Sequence, residues 1–446
     1  MKLPLLFAEI AAKRGQGMDI KAIARAALKA ASAAPDCFVS LCAAADVDRQ
    51  AEQVDVNLAA GAKLPLAGLT FCVKDNIDVA AMASTGNCPG FGRVADTSAP
   101  AVQRVLDAGA ILIGKNTMDQ FATGLNGTRS PSPICQNAVD PAIIPGGSSS
   151  GSAVAVAKGI CDFAFGSDTG GSGRVPAAAN GIVGLKPTPG LVSGRGMVYC
   201  NRSFDVIPIF AKTVQDARRV FEVIEGPDPS DPFAYTGAVA KAQNHSTLRL
   251  AVPDRLDHFG DAAAKAAHQV NLDLLKETGA TLVEIDFAPF AEAGQLVFGS
   301  ALVAERLIDY GRFIAQNPDA VLPPVAQAIN AGRAYSAQDL FEVLHRLAQL
   351  KLDCKAALGG ADALVLPTIP RLFTVSEMLA DPMSLNTIMG TYTYFANPLG
   401  FAAIAVPGRM RRDGLPSSVC FASHAGCDHI LTDIAQRFET SVTQRT

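Results

Sequence analysis

Tryptophan is absent from this sequence, histidine occurs only six times, and charged residues fill 18 % of its 446 positions. So little charge beside 49 % apolar residues excludes a disordered chain and requires a compact core. Neither sign dominates: 38 Lys plus Arg against 42 Asp plus Glu leave a net charge of −4, so no basic face is implied for nucleic acid or anionic lipid. No stretch reaches the roughly 18 apolar residues that span a bilayer. The opening MKLPLLFAEIAAKRGQG lacks a proper h-region and cleavage site. The ten cysteines contain no C-x-x-C pair and so no zinc pattern, and several lie in apolar runs such as Phe71-Cys72-Val73. They read as reduced, mostly buried small hydrophobes of a cytoplasmic protein. The expected partner is a small molecule, with no nucleic acid, membrane, metal or cofactor, and the expected assembly is a homodimer.

What is present is alternation. Ile20, Ile23, Ala24, Ala27 and Leu28 fall at helical spacing before Pro35, so residues 1–60 read as an N-terminal helical arm. From Leu69 the pattern changes: GLTFCVKD reads as a buried strand, SAPAVQRVLDAGA as a helix closed by glycine, and AILIGK as a second strand. It recurs at TLRLAVPD, DAAAKAAHQVNLDLLKETG and TLVEIDF, with further strands predicted at 363–368 and 402–408. This alternation predicts an α/β fold with a central mixed sheet flanked by helices, residues 61–446 forming one domain. The loop-like GPDPSDPFAYTG (226–237) reads as a surface excursion rather than a domain linker.

Two glycine-flanked serine clusters stand out, PGGSSSGSAVAVAKG from Pro145 and SDTGGSGRVP from Ser167. Phosphate binding fits poorly. No lysine follows Gly151 as in a Walker A loop, and neither cluster contains G-x-G-x-x-G. Gly147 to Gly151 match G-x-S-x-G around Ser149, but the preceding NAVDPAIIPG is no solid strand, so a nucleophile elbow is doubtful. Turns built for backbone freedom remain an alternative for either cluster alone. The other reading is a nest in which the backbone N–H groups of Thr169, Gly170, Gly171 and Ser172 converge on one point, as an oxyanion hole requires. A hydroxyl nucleophile needs a base, and no histidine sits in a motif-like setting; His268 and His345 look like ordinary helix residues. Lys74 ends the apolar strand TFCVK, where a cation is out of place. It is either a snorkelling strand-end residue or a base whose pKa burial has lowered.

These residues resemble the amidase signature family over PLAGLTFCVKDNID, GGSSSGSAVAVA and SDTGGSGRVPAAANGIVGLKPT. The resemblance implies Lys74 as base, Ser148 as a bridging serine in a cis peptide, and Ser172 as nucleophile, with 172 − 148 = 24 matching the family's order and spacing. It also implies Gly124 and Ser149 beside the substrate. Asp168 and Arg174 flank the nucleophile and are expected to brace its loop as an ion pair, the alternative being a purely surface pair.

Within the family, TMDQFATGLNGTRSPS, CNRSFDVIPIFAKTVQDA and GTYTYFANPLGFAAIAVP are similar to allophanate hydrolases. This implies ammonia release from a small urea-type amide bearing a carboxylate, with Arg306 gripping that carboxylate; otherwise Arg306 is a solvated helix arginine. The chain departs from that group in one segment. Where a tyrosine in a Tyr-x-Gly-Pro-Trp segment is expected it reads LVFGSALVAER, with Val297 and Phe298, so the hydroxyl is missing or comes from Tyr392 or Tyr394. Full-length members often carry a further C-terminal domain; a chain ending at Thr446 reads as a single-domain relative or as one served by a separate protein. The alternatives are a broad-specificity or carboxybiuret-type amidase and, from another class, a subunit of a tRNA-dependent amidotransferase.

Overall fold

The computed structural model describes residues 19–131, 133–241 and 248–444, so the first 18 residues of the expected arm and His245 lie outside the described residues. Among the described residues, eleven strands form one large sheet: β1 (Phe38–Leu41), β2 (Thr70–Lys74), β3 (Ile111–Asn116), β4 (Phe163–Phe165), β5 (Val183–Lys186), β6 (Ile209–Ala211), β7 (Arg249–Pro253), β8 (Thr281–Ile285), β9 (Ala363–Pro367), β10 (Ala402–Pro407) and β11 (Ser418–Ser423). Their order is β1-β3-β2-β4-β6-β5-β10-β11-β9-β7-β8. β2 runs parallel to β3 and β4, and β7 parallel to β8 and β9, while the middle of the sheet is antiparallel. The sheet is therefore mixed, as the alternating pattern predicts.

Burial on both faces explains why β2 is continuously apolar. Phe71 and Val73 enter one core with the helices Pro100–Asp107, Val214–Ile224 and Asp428–Thr443, whereas Cys72 enters the other with Ile20–Ser32, Ala44–Ala59 and Ser150–Ala157. The arm is not purely helical. Between its two helices the chain supplies β1, which closes the sheet edge against β3. Cys37, just before β1, brings its Sγ to 3.5 Å from that of Cys135, a meeting across 98 positions that cysteine spacing could not reveal. Among the described residues no helix is long and apolar enough to cross a membrane.

His268 lies within the helix Ala262–Glu277, and both its ring nitrogens are buried without a hydrogen-bond partner. Burial, and secondarily the neighbouring His258, pushes its pKa down to about 3. Between the ordinary histidine pKa of about 6.5 and that value, the unfolded chain takes up a proton that the folded chain refuses. Stability is thus complete above about pH 6.5 and falls by up to about 1.4 kcal/mol per pH unit below it. Urea unfolding at pH 7 and pH 5 should show this loss, and His268→Leu should flatten it; an equal slope in the variant would assign the loss to other groups.

Candidate active site

The carboxyl ends of parallel strands are where open α/β sheets place their ligands. β2, β3 and β4 end side by side here, so Lys74, Asn116 and the loop after Phe165 share one edge. Lys74 is wholly buried. Its Nζ lies 2.7 Å from Ser148 Oγ and 2.8 Å from Ser167 Oγ, and Asn76 Nδ2 donates to the same Ser167 oxygen at 3.1 Å. Burial drives the lysine pKa down to about 7, although Asp119 and more distant acids pull it back up. An amine so placed is substantially neutral near pH 7 and can accept a proton from a hydroxyl. The Gly147–Ser148 peptide is cis. Its surroundings are fixed by Gly147 N–H donating to Leu125 O at 2.8 Å and Asp119 N–H donating to Ser148 O at 3.0 Å.

Ser172 sits in the turn between β4 and the helix Arg174–Ala179, 3 % exposed, with its hydroxyl on the Gly124 carbonyl oxygen at 3.4 Å. The turn is braced from beneath. Asp168 accepts from Arg174 Nε and Nη2, both at 3.0 Å, and from Gly171 N–H at 2.7 Å and Gly173 N–H at 3.0 Å. Arg174 also donates to Thr393 O and Asn397 Oδ1, while Asn397 Nδ2 donates back to Asp168 O. Both charges are fully buried. Burial alone would raise the Asp168 pKa, but the guanidinium outweighs it and holds the carboxyl below its ordinary value.

In front of Ser172 opens a cavity of about 370 Å³ walled by Gly124, Thr169, Phe298, Arg306 and Tyr394. Arg129 lines it as well, and no Asp or Glu does among the described residues. The Arg129 guanidinium donates to Thr123 O at 3.0 Å and Pro382 O at 2.6 Å, and its buried Nε has no hydrogen-bond partner among the described residues. Arg306 is 4 % exposed, lies 4.7 Å over the Phe298 ring and donates from Nε to Asn201 Oδ1 at 3.0 Å. Its Nη groups meet no protein acceptor among the described residues.

A family model described as Amidase matches residues 22–431. The chain belongs to the amidase family. It is thus an enzyme of the kind that hydrolyses amide C–N bonds. This amidase is 37 % identical over 380 residues to the urea amidolyase of Saccharomyces cerevisiae, covering 84 % of this chain and 21 % of that protein. The chain therefore spans about a fifth of the length of that relative. It is also 34 % identical over 432 residues to a glutamyl-tRNA(Gln) amidotransferase subunit of Symbiobacterium thermophilum, covering 89 % of this chain and 88 % of that one. Among solved structures it superposes on the Kluyveromyces lactis allophanate hydrolase with a TM-score of 0.93 at 32 % identity, covering 99 % of this chain and 73 % of that one.

In this amidase Lys74 and Ser148 touch each other and neither lines the cavity, whereas Ser172, Gly124, Thr169 and Arg306 do. Of the expected oxyanion-hole and substrate residues, Ser149, Gly170 and Gly171 do not line the cavity. Ser149 is buried, its hydroxyl donating to Ser167 O at 3.1 Å and accepting from Ser167 N–H at 3.3 Å, so it ties the two serine loops together. The Gly171 N–H does not face the cavity acceptor position of an oxyanion hole, because it donates to Asp168. Gly171 has φ +138°, and a Cβ there would collide with Thr393 Oγ1, so only glycine permits this turn. The amides of Thr169, Gly170 and Ser172 have no protein acceptor among the described residues. Tyr392 is ruled out as the substitute hydroxyl, since its OH exchanges hydrogen bonds with the Asp257 backbone; Tyr394 does line the cavity, edge-on to Phe298 at 4.8 Å. Sequence reasoning missed Ser167, Asn76, Arg129 and Asn201. Ser167 alone had a signal, since it opens the SDTGGSGRVP motif.

Proposed function

We propose that this chain releases ammonia from a small, linear, urea-type amide carrying a carboxylate, allophanate foremost. The observation that carries the reading is the cavity: it opens on Ser172, holds two arginines and, among the described residues, no carboxylate, and is small. An anionic substrate gains there from Arg306, whose planar fork suits a carboxylate bidentately. The likeness to allophanate hydrolase and urea amidolyase supports the same substrate.

The Lys74–Ser148 contact supports a proton relay to Ser172 as the chemistry. Neutral Lys74 takes the Ser148 proton, and Ser148 takes the proton of Ser172 once that hydroxyl swings from the Gly124 carbonyl. Ser172 Oγ attacks the amide carbon, and the N–H groups of Thr169, Gly170 and Ser172 receive the oxyanion, each such donor contributing about 3 kcal/mol. The protonated lysine returns its proton through Ser148 to the leaving nitrogen, ammonia departs, and water releases the acyl group from Ser172. Asp168 and Arg174 keep the nucleophile turn in place.

The near full-length likeness to the tRNA-dependent amidotransferase component supports a second reading, in which this chain works on aminoacyl-tRNA together with partner proteins. Ammonia release by the purified chain from allophanate, biuret, malonamate and neutral aliphatic amides decides between them: turnover of allophanate alone supports the first, and activity only with added partners supports the second. Arg306→Ala is expected to cut kcat/KM for allophanate roughly 10- to 150-fold, the worth of one hydrogen bond to a charged group, and that for neutral amides far less. Equal losses would remove the carboxylate grip.

A further inference from the structure

We infer that Asn201 is the positioning residue that makes the cavity selective for anionic substrates, by keeping the Arg306 guanidinium aligned and unpaired. The inference rests on the reading of Arg306 as a carboxylate grip. Arg306 follows Glu305 in the chain, and an arginine beside a glutamate in a half-dry site would ordinarily be neutralised by it. Here the buried Asn201 amide lies between the two. Its Oδ1 accepts from Arg306 Nε at 3.0 Å, while its Nδ2 donates to Leu302 O at 2.9 Å and faces Glu305 Oε2 at 3.4 Å. Glu305 is further occupied by Ser203, whose N–H and hydroxyl both donate to its carboxylate. The two sides of one amide thus sort a cation from an anion, and the Phe298 ring 4.7 Å from Arg306 Cζ fixes the plane of the fork.

The alignment is tied to the nucleophile loop as well. Asp205 accepts from the N–H groups of Cys200 at 2.6 Å and Asn201 at 3.2 Å, and the Thr169 hydroxyl donates to its other oxygen. Thr169 lines the same cavity as Arg306. One buried chain of hydrogen bonds therefore runs from beside Ser172 to Arg306, setting the distance between the reacting carbonyl and the carboxylate of a bound molecule.

The test compares malonamate, an anionic amide, with malonamide, its neutral counterpart, in the full chain carrying Asn201→Ala, Arg306→Ala or both. Asn201→Ala is expected to raise KM for malonamate at least tenfold with kcat reduced no more than about threefold, and to lower kcat/KM for malonamide no more than about threefold. The double variant should be no worse on malonamate than Arg306→Ala alone, because the amide acts only through that arginine. Equal losses on both substrates, or additive losses in the double variant, would overturn the role of Asn201. If Arg306→Ala itself fails to discriminate the two amides, the grip falls and this inference with it; if it discriminates and Asn201→Ala does not, only this inference falls. Should Asn201→Ala not fold, Asn201→Asp keeps an acceptor for Nε but neutralises the guanidinium, and an unchanged malonamate KM in that variant would equally overturn the assignment.

Discussion

Ser172→Ala and Lys74→Met are each expected to lower kcat for ammonia release by about 10⁴-fold or more, and the double variant to be scarcely worse than either. Groups that act as one unit lose nearly everything at the first deletion. The lysine makes a second prediction through its protonation. Its pKa is pushed down to about 7 by burial, and only the neutral amine can accept a proton, so kcat/KM should rise tenfold per pH unit below about pH 7 and level off above it. Lys186 is the control that makes this decisive. It too is wholly buried and pushed down to about 7, but its Nζ donates to Pro187 O at 3.0 Å and lines no part of the cavity. Lys186→Met should therefore keep the acidic limb in place, whereas loss of the limb in that variant would shift the titration from Lys74 to Lys186. Undiminished turnover in both Ser172→Ala and Lys74→Met would end the proton-relay mechanism altogether.

What the sequence discloses of this site is what lies close together along it. Lys74 is visible because a cation ends an unbroken apolar strand, and Ser148 and Ser172 because glycines surround each of them. The strands β2, β3, β7 and β8 are visible for the same reason, since their apolar and β-branched runs are local. The arginine grip is different. Arg306 and Phe298 come into view only through the family resemblance, and the Asn201 that aligns the arginine lies 105 positions away from it, where nothing local in the sequence marks it. Ser149 shows the converse: it sits inside a serine-rich motif, yet its hydroxyl satisfies the Ser167 backbone 18 positions away. Composition could place a serine in the right loop but not choose which way its hydroxyl turns. The Gly171 amide follows the same logic, because the demand that claims it, the Asp168 carboxylate, becomes visible only when the turn closes.

Arg174→Met is expected to cost about 3–5 kcal/mol of folding stability. Two opposite charges with no exposure lie 3.0 Å apart, and removing the cation leaves Asp168 ionised in the interior with only the Gly171 and Gly173 amides as donors and the more distant Lys186 as countercharge. Protonation of Asp168 would relieve the charge but would weaken its grip on those two amides, which bracket Ser172. Activity should therefore fall further than the folded fraction does. Replacing both partners, as Asp168→Asn with Arg174→Met, removes the buried charge and should recover part of the stability lost by the single variant, though not the turnover. In the native protein Asp168 titrates below its ordinary value, so the pair's contribution is complete above about pH 4 and is lost only as pH falls through that depressed pKa. Urea denaturation of the single and double variants checks the order. A single variant within about 1 kcal/mol of native would mean that solvent reaches Asp168 and that the nucleophile turn holds without the ion pair.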